Sequence, residues 1–214
     1  MYIEMMKILE EDLNKDLLKV IPLIFSDAIK VYEQLINEEK DIFSGEYFQS
    51  IKGKLLGYII NRAFDPKLLP SNVPFKSEII KLAFSQKIPK LVLNNTVLTI
   101  SKVMSKELLP SKSKYKLEYA KGNDLICNQF KFNLDKELNK KSTPYYGIIA
   151  YEYKDYLKSL NIIIPDSEFK NIIKTINIPI VYTYDDMGEE NKPILNIDNL
   201  KEVISQDIKL KVIE

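Results

Sequence analysis

The side chains best suited to chemistry lie at the end of the stretch YYGIIAYEYKDY, residues 145–156. Alternate side chains of a strand point to opposite faces, so Glu152 and Lys154 are predicted to share one face. A carboxylate and an amine would then meet where an apolar strand reaches water, which suits acid–base or metal-assisted chemistry. A buried strand that simply emerges into solvent, with paired charges that add little stability, has the same pattern.

A Glu-x-Lys at a strand end, with an acidic residue upstream, resembles the PD-(D/E)xK nuclease superfamily. The resemblance implies Asp124 as the upstream acid, with Asp135 as the second choice. It also implies that Asp124 and Glu152 hold Mg²⁺ while Lys154 steadies the attacking water or the charge developing on phosphate. Glu-x-Lys occurs four times in the chain, and only the copy at Glu152 ends a predicted strand.

Composition excludes several other chemistries. The chain has no His, no Trp and one cysteine, Cys127. The lack of imidazole excludes His-dependent catalytic dyads and triads, and it excludes His-ligated zinc or haem. A lone cysteine forms neither an intramolecular disulfide nor a Cys-rich zinc site, and we interpret Cys127 as a small buried residue. Catalysis would have to use carboxylates, Lys, Tyr, Ser or a metal with oxygen ligands.

Charge is unevenly distributed along the 214 residues. Residues 1–50 carry five Lys against eleven acidic residues, a balance of −6, and residues 142–214 carry eight against twelve, a balance of −4. The middle, residues 51–141, carries eighteen basic residues against seven acidic ones, a balance of +11. Either the acidic ends pack near the middle and neutralise it, or the middle faces a polyanion.

Within this basic middle, SKSKYKLEYAKGN (111–123) places Lys112, Lys114, Lys116 and Lys121 around two tyrosines. Read as a strand over 114–120, it puts Lys114 and Lys116 on one face and the tyrosines on the other, in the core. The lysine face would be open to phosphates, each of which adds salt-dependent affinity. A lysine face that is merely solvated explains the same pattern.

A second basic segment is FKSEIIKLAFSQK (75–87), predicted as a helix that presents Lys76, Lys81 and Lys87. A β-hairpin is predicted next, over 90–103, around the Asn94-Asn95 turn. A helix followed by a two-stranded hairpin is the layout of a winged helix-turn-helix. A helix packed on a sheet gives the same pattern, and Arg and Gln, which read bases best, are scarce here.

These residues are positioned by an α+β fold, in which a helical N-terminal part precedes a mixed, largely antiparallel sheet with one or two packed helices. The predicted parts are 1–87, helical, and 88–214, α/β, forming one compact unit. Helices are predicted over 26–40, with Ser26 as N-cap, and over 46–64, 166–176 and after Asp198. Strands are predicted over 145–153, 161–164, 178–184, 192–197 and 208–213.

We therefore expect a cytoplasmic macromolecule-binding protein, because no apolar run is long enough to span a membrane and the N-terminus does not read as a signal peptide. The abundance of Ile, Lys and Asn fits an AT-rich genome, such as a low-GC bacterium, a phage or a mobile element. Nucleic acid is the first candidate ligand and another protein the next, with no cofactor. The alternatives are a Mg²⁺-dependent nuclease and a partner protein that binds or inhibits through its acidic N-terminal helices.

Overall fold

The computed structural model describes residues 2–43, 45–83, 86–124, 143–180 and 194–213. Helices α1 (Tyr2–Asp12), α2 (Lys15–Glu38), α3 (Lys40–Phe43) and α4 (Glu46–Ala63) come first. Strands β1 (Lys76–Lys81), β2 (Lys87–Val92) and β3 (Thr96–Lys102) follow, then helix α5 (Lys114–Ala120) with a short 3₁₀ turn (Lys121–Asn123). Strands β4 (Tyr145–Tyr153), β5 (Leu157–Pro165) and β6 (Ile172–Asn177) and helix α6 (Ile197–Ile213) complete the order. The predicted α+β class is confirmed.

The six strands form one mixed sheet in the order β1-β2-β3-β4-β5-β6. Strands β2 and β3 pair antiparallel, as do β4 with β5 and β5 with β6, whereas β3 and β4 are parallel. A parallel pair needs a crossover connection, and here that connection contains α5. Strand β4 is buried along nearly its whole length because it is a central strand with both faces covered.

The chain divides into two compact units, and the boundary falls inside β2. Unit 1 comprises residues 1–15 and 90–178. In it, the buried carboxylate of Asp12, at the end of α1, accepts hydrogen bonds from Asn95 N–H and Thr96 Oγ1, both at 2.8 Å. These bonds anchor the β2–β3 turn to α1. The predicted division at residue 87 stays a prediction.

Unit 2 comprises residues 16–89 and 179–214. Its core contains Phe25, Phe64 and Phe75, whose rings meet in pairs at centroid distances of 5.7 and 6.2 Å. The one arginine of the chain, Arg62 on α4, binds Asp207 on α6 through Nε at 3.0 Å and also pairs with Asp65. This network ties α6 to α4, so the arginine has a structural role in this unit.

Four sequence predictions are confirmed by the structure. Helix α4 coincides with the predicted helix over 46–64 to within one residue. The hairpin around Asn94-Asn95 is present, closed by a hydrogen bond from Leu93 N–H to Thr96 O at 2.8 Å. Strand β4 coincides with residues 145–153, and the predicted strand over 161–164 lies inside the longer β5.

Five predictions are wrong, and two of them concern the basic segments. Residues 76–81 form strand β1, paired with β2, where the sequence predicts a helix, so the described residues 75–83 and 86–103 do not have the winged helix-turn-helix layout. Residues 114–120 form helix α5, not a strand. Periods of 2 and 3.6 both place Tyr115 and Tyr119 on one face, but a strand would also bury Leu117, which is 36% exposed.

The other three errors are the helix predicted over 166–176, the final strand and the N-cap at Ser26. Asp166 does not begin a helix; it accepts backbone hydrogen bonds within a turn from which Phe169, at φ 55°, enters the core, and residues 172–177 form strand β6. Residues 208–213 continue α6, so the final strand is absent. Helix α2 begins at Lys15, and Ser26 lies inside it. Most of the predicted strand over 178–184 and the start of that over 192–197 lie outside the described residues.

Candidate functional site

The ends of β3 and β4 meet at one edge of unit 1 because these two strands run parallel. The β4–β5 turn lies at the same edge, since β5 runs back along β4. We call this edge the lysine edge and define it as residues 102–114 and 152–158. Crevices beyond the carboxyl ends of parallel strands are frequent ligand sites in α/β sheets.

Helix α5 is fixed on the sheet by the residues that follow it. The side chain of Asn123 is fully buried and donates from Nδ2 to Tyr146 O at 2.9 Å and to Pro165 O at 2.8 Å. Its Oδ1 accepts a hydrogen bond from Tyr146 N–H at 2.8 Å. One amide thus joins the start of β4 to the end of β5 as a peptide group would. The C-terminal end of α5 is therefore attached near the beginning of β4.

Close packing and aromatic contacts set the direction of α5. Gly122 lies against Pro144, and a Cβ added there would lie 2.2 Å from the Pro144 carbonyl oxygen. The rings of Tyr119 and Tyr146 are 5.5 Å apart, and Tyr115, one helical turn earlier, approaches Ser101 near the end of β3. Helix α5 consequently runs antiparallel to β4, and its first residues lie at the lysine edge.

Six lysines and three carboxylates belong to the lysine edge. Lys106 lies 3.9 Å from Glu107 and Lys158 lies 3.8 Å from Glu152, both partly exposed pairs of small energetic weight. The other four lysines form no ion pair with any described residue, and all four are exposed: Lys102, Lys112, Lys114 and Lys154. With Asp155 as the third carboxylate, the edge carries an excess of three positive charges.

Lys116 is not part of this exposed set, although the sequence predicts it beside Lys114. It is only 7% exposed, and its Nζ donates a hydrogen bond to Ser111 O at 2.9 Å. Burial lowers the pKa of Lys116 to about 8. The expected lysine face therefore does not exist, because a helix places Lys114 and Lys116 in different directions and buries the second.

The remaining predicted lysines are dispersed. Lys121 lies at the other end of α5, where its Nζ is 2.9 Å from Glu118. Lys76 and Lys81 lie on β1 in unit 2, and Lys76 pairs with Glu78 at 2.9 Å. Of the six predicted nucleic-acid-binding lysines, the structure brings only Lys112 and Lys114 together at the lysine edge.

The structure does not bring Asp124 and Glu152 together. Asp124 directly follows Asn123, which is bonded to Tyr146 at the start of β4, while Glu152 lies six residues further along that strand. At about 3.3 Å per residue, the two positions are roughly 20 Å apart. They do not share one Mg²⁺ ion in this arrangement, and the second-choice acid, Asp135, lies outside the described residues.

The regular alternation of side chains along β4 does not extend from Glu152 to Lys154. The register of β4 against β5 shifts between Glu152 and Tyr153, and the strand ends at Tyr153. Within the described ranges, no three His, Cys, Asp or Glu side chains lie close enough to hold a metal. The nuclease alternative stays a prediction, which Mg²⁺-dependent cleavage by the wild type and by Glu152→Ala would test. Cys127 also lies outside the described residues.

Sequence reasoning missed the exposed apolar side chains of the lysine edge. Met104 is 91% exposed, Leu108 53% and Tyr156 57%. The order Lys154-Asp155-Tyr156-Leu157-Lys158, an aromatic residue between two lysines, is a visible signal for Tyr156. No comparable signal marks Asn123, whose role depends on two strands that are distant in sequence.

No family model matches the chain, and the comparisons with curated proteins and with solved structures found no match either. Among the described helices, none is both long and apolar enough to cross a bilayer.

Proposed function

We propose that this protein binds nucleic acid through the lysine edge of unit 1. The observation that supports this proposal is the set of four exposed lysines without ion-pair partners among the described residues, contributed by two chain segments at one edge. Clustered amines raise the local potential and attract phosphate groups. Each phosphate that an amine neutralises releases condensed counterions, which provides affinity that falls with salt.

The chemistry of the edge favours contacts to phosphate over recognition of bases. All its cations are lysines, which act as point charges, whereas the bidentate guanidinium that reads guanine is missing from residues 102–114 and 152–158. The chain's one arginine, Arg62, is engaged by Asp65 and Asp207 in unit 2. Because phosphate contacts carry no sequence information directly, we expect weak sequence preference.

The test is affinity for a labelled oligonucleotide as a function of salt, measured by fluorescence anisotropy. The triple variant Lys112→Glu, Lys114→Glu, Lys154→Glu removes three of the four unpaired amines. With about 0.7–0.9 counterions released per phosphate, the slope of log K against log salt should become shallower by about 2–3. Lys67→Glu, an exposed lysine of unit 2, is the matched control and should change neither slope nor affinity. A wild-type affinity that does not respond to salt would contradict the proposal.

A further inference from the structure

The lysine edge also exposes apolar surface that phosphate binding does not use. Met104 and Leu108 lie in the segment after β3, and Tyr156 lies in the β4–β5 turn between Lys154 and Lys158. A large apolar side chain that is half or more exposed contributes little to the core, so its position is not explained by folding. Single exposed apolar side chains are ordinary on protein surfaces, but here three such side chains lie on two adjoining segments of one charged edge, which is typical of a binding surface.

We infer that the ligand of the lysine edge is an unpaired, single-stranded nucleic acid, with Tyr156 stacking on a base. This inference rests on the proposed function. A duplex buries the faces of its bases and offers mainly phosphates and groove edges to a lysine surface. An unpaired strand offers base faces beside its phosphates, and a tyrosine ring flanked by two lysines matches both groups at once.

The position of Tyr156 supports a role in stacking over insertion into an anionic membrane. Its neighbour in the turn is Asp155, which is exposed, and Glu107 stands beside Leu108 in the same way. Insertion to the depth of the acyl chains would carry these carboxylates into the interface, which is costly. Stacking uses only one face of a ring at the surface and leaves Asp155 in water.

The experiment compares the binding of a labelled single strand of about 16 nucleotides with the binding of the duplex of the same sequence. That length is the upper end of the range that one small single-strand-binding domain covers. We expect the single strand to bind at least about tenfold more tightly at equal salt, and Tyr156→Ala to weaken that binding about tenfold. Tyr156→Phe keeps the ring and should bind like the wild type. Ile51→Ala, an exposed apolar residue of unit 2 at 48%, should have no effect.

Three results would overturn the inference, and they have different meanings. Equal binding of single strand and duplex, unaffected by Tyr156→Ala, would leave phosphate binding intact and refute stacking. The absence of salt-dependent binding to either oligonucleotide would refute the proposed function itself. Binding to vesicles of mixed phosphatidylglycerol and phosphatidylcholine, without binding to oligonucleotides, would assign the apolar and basic edge to a lipid surface.

Discussion

Replacement of Asn123 by alanine should strongly destabilise unit 1, because this side chain satisfies three backbone groups in a fully buried position. The variant leaves Tyr146 N–H, Tyr146 O and Pro165 O each without one partner. A buried polar group without its hydrogen bond costs about 1–3 kcal/mol, and carbonyls are less sensitive than N–H groups, so we expect a total loss of about 3–5 kcal/mol. This is a large share of the 5–15 kcal/mol that is typical of a folded domain.

The free energy of unfolding is best measured by urea titration, followed by circular dichroism because the chain has no Trp. Asn123→Asp is the informative second variant. Its carboxylate can still accept from Tyr146 N–H but faces two carbonyl oxygens, so it should be unstable at neutral pH and recover partly in acid. Asn177→Ala, at an exposed position on β6, is the control. A loss below about 1 kcal/mol for Asn123→Ala would show that these three backbone groups do not depend on the Asn123 side chain.

Three further outcomes follow from other sites. The unfolded state keeps the Lys116 amine protonated up to about pH 10.5 and the folded state only to about 8, so the contribution of Lys116 to stability should rise with pH between those values, by about 1–2 kcal/mol after allowance for solvent that reaches the amine. Tyr146 and Tyr151, whose pKa values burial raises, act in the opposite direction, because unfolded tyrosines ionise at about pH 10. In urea titrations at pH 7.5 and 10, the change in stability with pH should therefore be more positive for the wild type than for Lys116→Met, and an equal change in both would contradict this role of the buried amine. Gly122→Ala should cost about 1–3 kcal/mol by the same assay, since its Cβ would clash with the carbonyl oxygen of Pro144; an unaltered stability would show that the turn relaxes freely. Arg62→Ala should lower the thermal midpoint of unit 2 by several degrees, because it leaves Asp207 without its cation. Arg62→Lys should recover only part of that lost thermal stability. An Arg62→Ala variant as stable as the wild type would contradict this structural role of Arg62.

The predictable part of the fold is the part with strong local signals. The Asn94-Asn95 turn, the β-branched and aromatic run of β4 and the periodic apolar residues of α4 each define their element without help from the rest of the chain. The buried side of α4 was less predictable: Ile51 lies three residues after the buried Phe48, the spacing of one helical face, yet it is 48% exposed. Periodicity indicates that a helix is amphipathic, but the neighbouring elements decide which flank is covered.

The errors share one physical cause, which is that tertiary contacts decide short segments with ambiguous patterns. Asp166 and Ser167 after a proline resemble a helix start, but Asp166 instead organises a turn. Partial burial alone would raise the pKa of Asp166, yet hydrogen bonds from Lys170 and Asn171 lower it overall, which reflects how many donors converge on this carboxylate. Burial of Phe169 in the core then outweighs the local preference for a helix.

The sequence indicates which segment is basic, but it does not indicate which lysines come together in space. Charge counts along the sequence single out the basic middle, but they do not reveal that Lys116 is buried or that Lys121 is paired with Glu118. They also do not group Lys154, which lies outside the basic middle, with Lys102; the two reach the same edge only because β3 and β4 are parallel. The position of a lysine in space depends on strand order, and strand order is a non-local property.

Photocross-linking of the intact 214-residue chain to a single-stranded oligonucleotide, followed by mass spectrometry of the attached peptides, locates the surface that binds nucleic acid. We predict cross-links in residues 102–114 and 154–158, with Tyr156 among the modified positions, and their loss at high salt. Cross-links confined to unit 2, for example around Lys76 and Lys81 on β1, would contradict the assignment of nucleic-acid binding to the lysine edge.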